Sequence, residues 1–238
     1  MVIILRAAII AGGFGKRLRP LTEEKPKTLV EVAGRPILEW QIMWLKRYGV
    51  DTIVVLAGYL REKIIEFLGS GSRFGVSAVY VVEEEPLGTG GALKNAEAVL
   101  KDGVFIATNG DIITNIPVSK LIDALTSSNA LAVLALVPLK SPYGVVEVDE
   151  KGYIRSFIEK PVIEHYLVNA GVYAMKPEVF KYIPAKGDLE RDTFPRLAEE
   201  GLLKGVVFRN VYWRSIDTIK DIEEASKELR NGLPEVRG

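Results

Sequence analysis

Ile9-Ile10-Ala11-Gly12-Gly13-Phe14-Gly15-Lys16-Arg17-Leu18-Arg19-Pro20, closed by Pro26-Lys27, decides how this chain is read. A short apolar run stops, glycines follow, and the cations Lys16, Arg17, Arg19 and Lys27 come next. Without a Cβ, glycine lets main-chain N–H groups approach a ligand closely. Successive N–H groups in such a turn form a concave anion nest. Arginine and lysine beside it make a polyphosphate the natural ligand. The stretch therefore predicts a strand that ends at the triphosphate site of a nucleotide, with Ala11, Gly12, Gly13 and Gly15 along the phosphates. Two commoner phosphate loops do not fit. The dinucleotide fingerprint, counted from Gly13, needs glycine where Leu18 stands. The Walker loop needs glycine at Ile10 and Ser or Thr at Arg17. The simpler alternative is a tight strand-to-helix turn surrounded by solvated charges.

Outward from this turn, apolar runs of strand length alternate with amphipathic stretches. Strands are expected at Ile3–Ala11, Thr52–Ala57, Val76–Val82 and Val104–Thr108. Helices are expected at Pro36–Tyr48, opened by its proline, at Leu60–Leu68 with Leu60, Ile64 and Phe67 inward, at Gly91–Leu100 and at Val118–Ser127. Continuous β-branched strands are those buried on both faces. This alternation implies a largely parallel sheet with helices on both sides. After residue 130 the pattern changes. Ala130–Val137 and Val168–Met175 read as strands, and Val145–Val148 and Tyr153–Ile158 flank the turn Asp149-Glu150-Lys151-Gly152 as a hairpin. Leu189–Glu200 reads as a helix against the grain of Pro195, Val206–Arg209 as a strand and Ile219–Leu229 as a helix. No linker or repeat interrupts the chain, so one domain is expected over residues 1–238. Its nucleotide half would run to about residue 112, with a substrate half after it.

Composition narrows the chemistry. The 238 residues carry 31 basic and 31 acidic side chains, a formal charge of zero that indicates neither a nucleic-acid face nor an anionic-membrane partner. The apolar start is too short to span a bilayer and leads straight into glycine, so a cytoplasmic protein is expected. There is no cysteine and a single histidine, His165, in a polar stretch. Thiolate nucleophiles and cysteine-bound zinc are excluded, and histidine-based triads rest on one surface residue. Chemistry must run on carboxylates, cations, main-chain dipoles and a hard metal ion.

Asp111 follows the buried run Val104–Thr108, at the sheet edge where open α/β sheets bind ligands. Magnesium is held by one or two carboxylates plus substrate phosphates, which suits Asp111; a turn-capping Asp is the plainer alternative. Asp217 also follows apolar residues and precedes a helix, so it reads equally as a helix cap. Glu83-Glu84-Glu85-Pro86-Leu87-Gly88-Thr89-Gly90-Gly91 is a loop entering a helix, where a carboxylate can accept from base N–H donors. Glu159-Lys160-Pro161 offers a carboxylate for sugar hydroxyls and a lysine for a monoester phosphate. Together these fit a reaction without a general base. A sugar-1-phosphate oxygen attacks the α-phosphorus of a nucleoside triphosphate, and pyrophosphate leaves.

With those residues in view, the chain resembles the sugar-1-phosphate nucleotidylyltransferases. Gly12 to Thr22 with Pro26-Lys27 is similar to their opening motif. The similarity continues through Glu85–Gly91, Asn109-Gly110-Asp111, Tyr143–Val146, Glu159–Pro161, Asn169-Ala170-Gly171 and Trp213–Thr218. The resemblance implies a Rossmann-like three-layer α/β sandwich around a mostly parallel, mixed sheet. It implies that Arg17 grips the leaving pyrophosphate, Lys27 holds phosphates at the reacting centre, and Glu83, Gly88 and Thr89 lie on the nucleotide. Gly144, Glu159 and Asn169 would face the sugar, Lys160 its phosphate, and Asp111 would bind Mg²⁺. The family's usual second metal-ligand Asp falls at Ser215, so Asp217, two residues on and able to share a face, is assigned that role. The Glu-Pro-Leu-Gly-Thr stretch is most similar to mannose-1-phosphate guanylyltransferases, and Glu83 could accept from guanine N1–H and N2–H₂; the late Asp-Thr leans toward cytidine. GTP and mannose-1-phosphate are therefore the expected substrates. Thymidylyl, uridylyl and cytidylyl transfer, or an inactive nucleotide-sensing subunit, are the alternatives, and self-association is left open.

Overall fold

The computed structural model describes residues 5–235. The start of the first predicted strand, Ile3 and Ile4, lies outside them. The chain opens with β1 (Leu5–Ile10), two short strands β2 (Glu31–Val32) and β3 (Arg35–Pro36), α1 (Ile37–Lys46), β4 (Val50–Ala57), α2 (Arg61–Leu68) and β5 (Ser77–Val82). Next come α3 (Gly88–Asn95), α4 (Glu97–Leu100), β6 (Phe105–Asn109), β7 (Ile112–Thr114) and α5 (Val118–Thr126). The remainder is β8 (Ala132–Lys140), β9 (Val145–Val148), β10 (Ile154–Ile158), β11 (Val162–Met175), α6 (Phe194–Glu199), β12 (Leu203–Val207), β13 (Trp213–Ser215) and α7 (Ile219–Glu228).

Seven strands form the central sheet in the order β12-β8-β11-β6-β1-β4-β5. Neighbours run parallel except on either side of β11, which is antiparallel to both β6 and β8. The mixed, mostly parallel sheet expected from the sequence is thus present. Successive side chains on a strand point to opposite faces, and the core divides accordingly. Ala7, Ile9, Ile53, Val55 and Ile106 pack on one face with residues of α1, α2, α5 and α7. Ala8, Val54, Leu56, Phe105 and Ala107 pack on the other with α3, α4 and α6. Among the described residues no helix is long and apolar enough to cross a membrane.

Several boundaries differ from the sequence expectation. Pro36 caps α1 from the extended β3 rather than occupying its first turn. Leu60 precedes α2 in a left-handed conformation (φ 52°), so it is not one of the helix's inward residues. The helix expected from Gly91 begins at Gly88 and breaks at Ala96. The strand expected from Val168 begins at Val162, because β8 offers partners up to Lys140. Pro195 is tolerated because it lies in the first turn of α6, after a π turn over Leu189–Thr193, where no intrahelical N–H is required.

Two features of this frame place the site. Gln41 of α1 is buried, and its Nε2 donates to the carbonyls of Asn109 (2.8 Å) and Ile112 (3.0 Å). It thereby braces both ends of the turn that carries Gly110 and Asp111. Across from it β13 pairs antiparallel with β7, Ser215 opposite Ile112, and the Ile216 N–H donates to the Asp111 carbonyl at 2.9 Å.

Candidate active site

The loop after β1 is built as its glycines require. Gly15 is left-handed (φ 62°), and a side chain there would press on Thr22, whose hydroxyl donates to the Gly15 carbonyl at 2.9 Å. A single 3₁₀ turn follows, anchored by the fully buried Leu18, and it leaves the Arg17 side chain exposed. The next turn, Lys27–Leu29, buries Thr28 and Leu29 and aims Lys27 back under the loop.

There four segments meet. Lys27 Nζ donates to Asp111 Oδ2 at 2.7 Å and to Asp217 Oδ1 at 2.9 Å. Arg17 lies 2.9 Å from the same Asp217 oxygen. The other Asp217 oxygen accepts from the Ser215 hydroxyl at 2.7 Å. Burial pushes the Asp217 carboxyl up, but the bonds from Lys27 and Ser215 and the nearby charges outweigh it, and the net pKa lies below the ordinary aspartate value. The helix-cap alternative for Asp217 does not hold. Thr218 caps α7 in a reciprocal capping box with Asp221, which leaves the Asp217 carboxylate for the cations. The Ser215 hydroxyl fixes the orientation of the Asp217 carboxylate.

A cavity of about 300 Å³ opens above this cluster, with Ala11, Gly12, Gly13, Lys27, Glu83, Gly88, Thr89 and Asp111 in its walls. A second, of about 230 Å³, shares Gly13, Lys27 and Asp111 and adds Gly15, Arg17 and Asp217. Of the three consecutive glutamates only Glu83 turns inward. Glu84 pairs with Arg61 and Glu85 with Lys186. Glu83 lies so close to Gly12 and Gly58 that a side chain at either position would collide with its carboxylate. Burial raises its pKa, and the Leu87 N–H, 3.4 Å from Oε2, draws it partly back. Gly88 lines the cavity as expected, but its lack of a side chain has a packing cause: the Gly187 carbonyl sits where a Cβ would stand.

The residues expected to face the sugar are placed apart. Gly144, Glu159, Lys160 and Asn169 line neither cavity. Gly144 faces the Glu159 carboxylate, with 2.9 Å between its would-be Cβ and Oε2. Lys160 is left-handed (φ 48°), 3.7 Å from Glu159, and both are exposed at the foot of the β9–β10 hairpin. Asn169 is linked to Thr89 in the cavity wall through a relay. Its Nδ2 donates to the Tyr173 hydroxyl (2.9 Å), Tyr173 donates to Glu190 (3.1 Å), and the Thr89 hydroxyl donates to Glu190 (2.8 Å). The sequence reading missed Tyr173, Asp188 and Glu190. Asp188 lines the cavity and accepts from the Thr89 N–H at 3.3 Å. The Gly187-Asp188 pair was the only local signal, a turn ahead of a helix.

The arrangement suits a divalent cation. Two carboxylates converge on one positive charge at the edge of a cavity walled by glycine. Among the described residues no third carboxylate or histidine joins them, so a hard ion held here would complete its shell with phosphate oxygens and water.

Comparison with known proteins places the chain in a family. The family model described as nucleotidyl transferase matches residues 6–232. A mannose-1-phosphate guanyltransferase of Kluyveromyces lactis is 37% identical over 96% of the chain, and a UTP–glucose-1-phosphate uridylyltransferase of Synechocystis 32% identical over 95%. The chain spans 66% and 65%, respectively, of those relatives' lengths. Among solved structures, HddC from Yersinia pseudotuberculosis superposes with a TM-score of 0.74 at 28% identity, covering 94% of this chain and 99% of that one. With one fold, one converged carboxylate pair and a match across nearly its whole length, the chain belongs to the nucleotidyl transferase family.

Proposed function

We propose that this protein joins a nucleoside triphosphate to a sugar-1-phosphate, giving an NDP-sugar and pyrophosphate, with GTP and mannose-1-phosphate as substrates. The observation that carries the reaction class is the convergence of Lys27, Arg17, Asp111 and Asp217 beneath the glycine loop. The triphosphate lies along Ala11–Gly15, received by N–H groups of the glycine turn and by the cations that follow it, Lys16 and Arg17. Asp111 and Asp217 would hold Mg²⁺, which when bound supplies charge neutralisation for the phosphates. A phosphate oxygen of the sugar-1-phosphate forms a bond to the α-phosphorus as the α–β bridging bond breaks. No proton need move, because the attacking oxygen is already anionic. Lys27 and Arg17 offset the charge that builds on the leaving pyrophosphate. Gly144, Glu159 and Asn169 orient the sugar, and Lys160 its phosphate.

Glu83 supports guanine. A carboxylate held against Gly12 and Gly58 can accept both N1–H and N2–H₂, which uracil and thymine cannot offer together. A second HddC structure, 27% identical to this chain, is described as complexed with GMP-PN, and the guanyltransferases of K. lactis and Candida albicans are each 37% identical. A pyrophosphate-release assay tests the reading, crossing GTP, UTP, CTP, dTTP and ATP with mannose-, glucose-, galactose- and N-acetylglucosamine-1-phosphate. Highest kcat/KM for GTP with mannose-1-phosphate is expected. A preference for UTP with glucose-1-phosphate would overturn the substrate assignment but keep the reaction, and no release with any pair would overturn both.

A further inference from the structure

The four charged groups at the centre of the site cancel: two carboxylates, one ammonium and one guanidinium. Both hydrogen bonds of Lys27 go to the carboxylates, and its side chain is only 16% exposed. Both oxygens of Asp217 are engaged, one by Lys27 and Arg17 and the other by Ser215. The place between Asp111 and Asp217 is thus held by a charge that belongs to the chain itself.

We propose that the Lys27 ammonium is the resident counter-ion of this carboxylate pair, and that it yields the place to a divalent cation only when a phosphate is there to receive it. The inference builds on the proposed reading of Asp111 and Asp217 as metal ligands. If Lys27 left both carboxylates with no phosphate present, its ammonium, only 16% exposed, would lose two strong charge-assisted bonds with no new acceptor. A triphosphate alters the balance, because its oxygens give the ammonium new acceptors and also complete the cation's shell. Lys27 therefore couples the two ligands: metal alone binds weakly, nucleotide strengthens metal, and by linkage metal strengthens nucleotide to the same degree. The exchange also carries Lys27 from the carboxylates to the phosphates, where the reaction needs it.

The test uses the full chain with Mn²⁺ alone as the probe, free ion being counted by its paramagnetic resonance signal. Lys27→Met should bind Mn²⁺ about tenfold or more tightly than the unmodified protein in the absence of nucleotide, the effect of removing one charge at hydrogen-bond distance. Its melting temperature should fall in EDTA and recover with Mn²⁺, whereas that of the unmodified protein should not respond to the same Mn²⁺. Lys16→Gln is the control. It removes a cation from the same loop that contacts neither aspartate among the described residues, and it should change Mn²⁺ affinity by less than about threefold. Should Lys27→Met lose its far-ultraviolet dichroism, Lys27→Gln takes its place. Lys27 variants that bind Mn²⁺ no more tightly than the unmodified chain, or a Lys16→Gln gain of equal size, would overturn the exchange. A protein that shows the exchange yet makes no NDP-sugar would refute the reaction and leave the exchange standing. One that makes NDP-sugar without the exchange would do the reverse.

Discussion

The glycine-loop side and the β9–β10 side of this molecule, proposed to take the nucleotide and the sugar, are built on opposite terms. Around the glycine loop the framework is braced from below: Leu18 and Leu29 by the core, the Asp111 turn by Gln41 and by Ile216 beside the neighbouring strand. The proposed sugar side rests on β9 and β10, a two-stranded sheet that pairs only with itself among the described residues. Val148, Ile154 and Phe157 on it are each more than 60% exposed. An isolated hairpin is marginal in water, so Gly144, Glu159 and Lys160 sit on the less constrained part of the fold. The contrast teaches where each kind of error is tolerated. Charge stabilisation needs fixed geometry, whereas a hexose can be met by a segment that adjusts.

Substitutions can break this comparison, and the largest effect belongs to the braced side. Asp111→Asn should lower kcat by roughly a thousandfold and remove the Mg²⁺ dependence, with the melting temperature little changed. An active variant indifferent to Mg²⁺ would remove Asp111 from the metal site. Arg17→Ala should cost roughly a hundredfold in turnover, as for one lost transition-state charge partner. Because Arg17 is exposed, stability measured by thermal melting should hold. Glu159→Gln should act differently, raising KM for the sugar-1-phosphate about tenfold while kcat stays within about twofold. A fall in kcat as large as that of Arg17→Ala would show that the hairpin is as preorganised as the loop. The matched pair Ser215→Ala and Asp217→Ala sharpens the site itself. The serine change should cost only a few-fold, since it loosens one oxygen of Asp217, and a serine effect exceeding the aspartate effect would reassign the role.

The smallest effect is one of stability. Burial raises the Glu83 pKa in the folded protein, so the fold disfavours its ionised form. The stability it contributes is complete below the unfolded glutamate value, near pH 4.3, and is lost as pH rises through the folded value. Glu83→Gln should therefore melt about 2 °C higher than the unmodified chain at pH 7.5 and no higher at pH 4. The same variant should lose discrimination for GTP. A Glu83→Gln variant that melts no higher than the unmodified chain at pH 7.5 would mean that the carboxylate is not desolvated.

How much of this was legible beforehand follows from distance along the chain. The strand ending at Ala11, the cations after it and the turn at Asp149–Gly152 are local patterns, and each appears where expected. Gln41 was invisible as a site residue, because nothing near it in sequence shows that two carbonyls some seventy residues away need its amide. The same holds for Glu190, whose partners Thr89 and Tyr173 come from different elements. Gly88, expected to lie on the nucleotide, lines the cavity, but the Gly187 carbonyl that excludes a side chain there lies across a loop.

Sequence alone determined the strand–glycine–cation turn and the alternation that makes a parallel sheet, because backbone freedom and side-chain period are properties of neighbouring residues. It could name Asp111 and Asp217 as candidates but could not choose between cap and ligand for either. Only the tertiary structure brought the two together at Lys27, by pairing β7 with β13, and gave the helix cap to Thr218. Lys27 and Asp217 stand 190 residues apart, and no local preference brings such partners together. The sheet does so, because its register is set by the burial of whole faces.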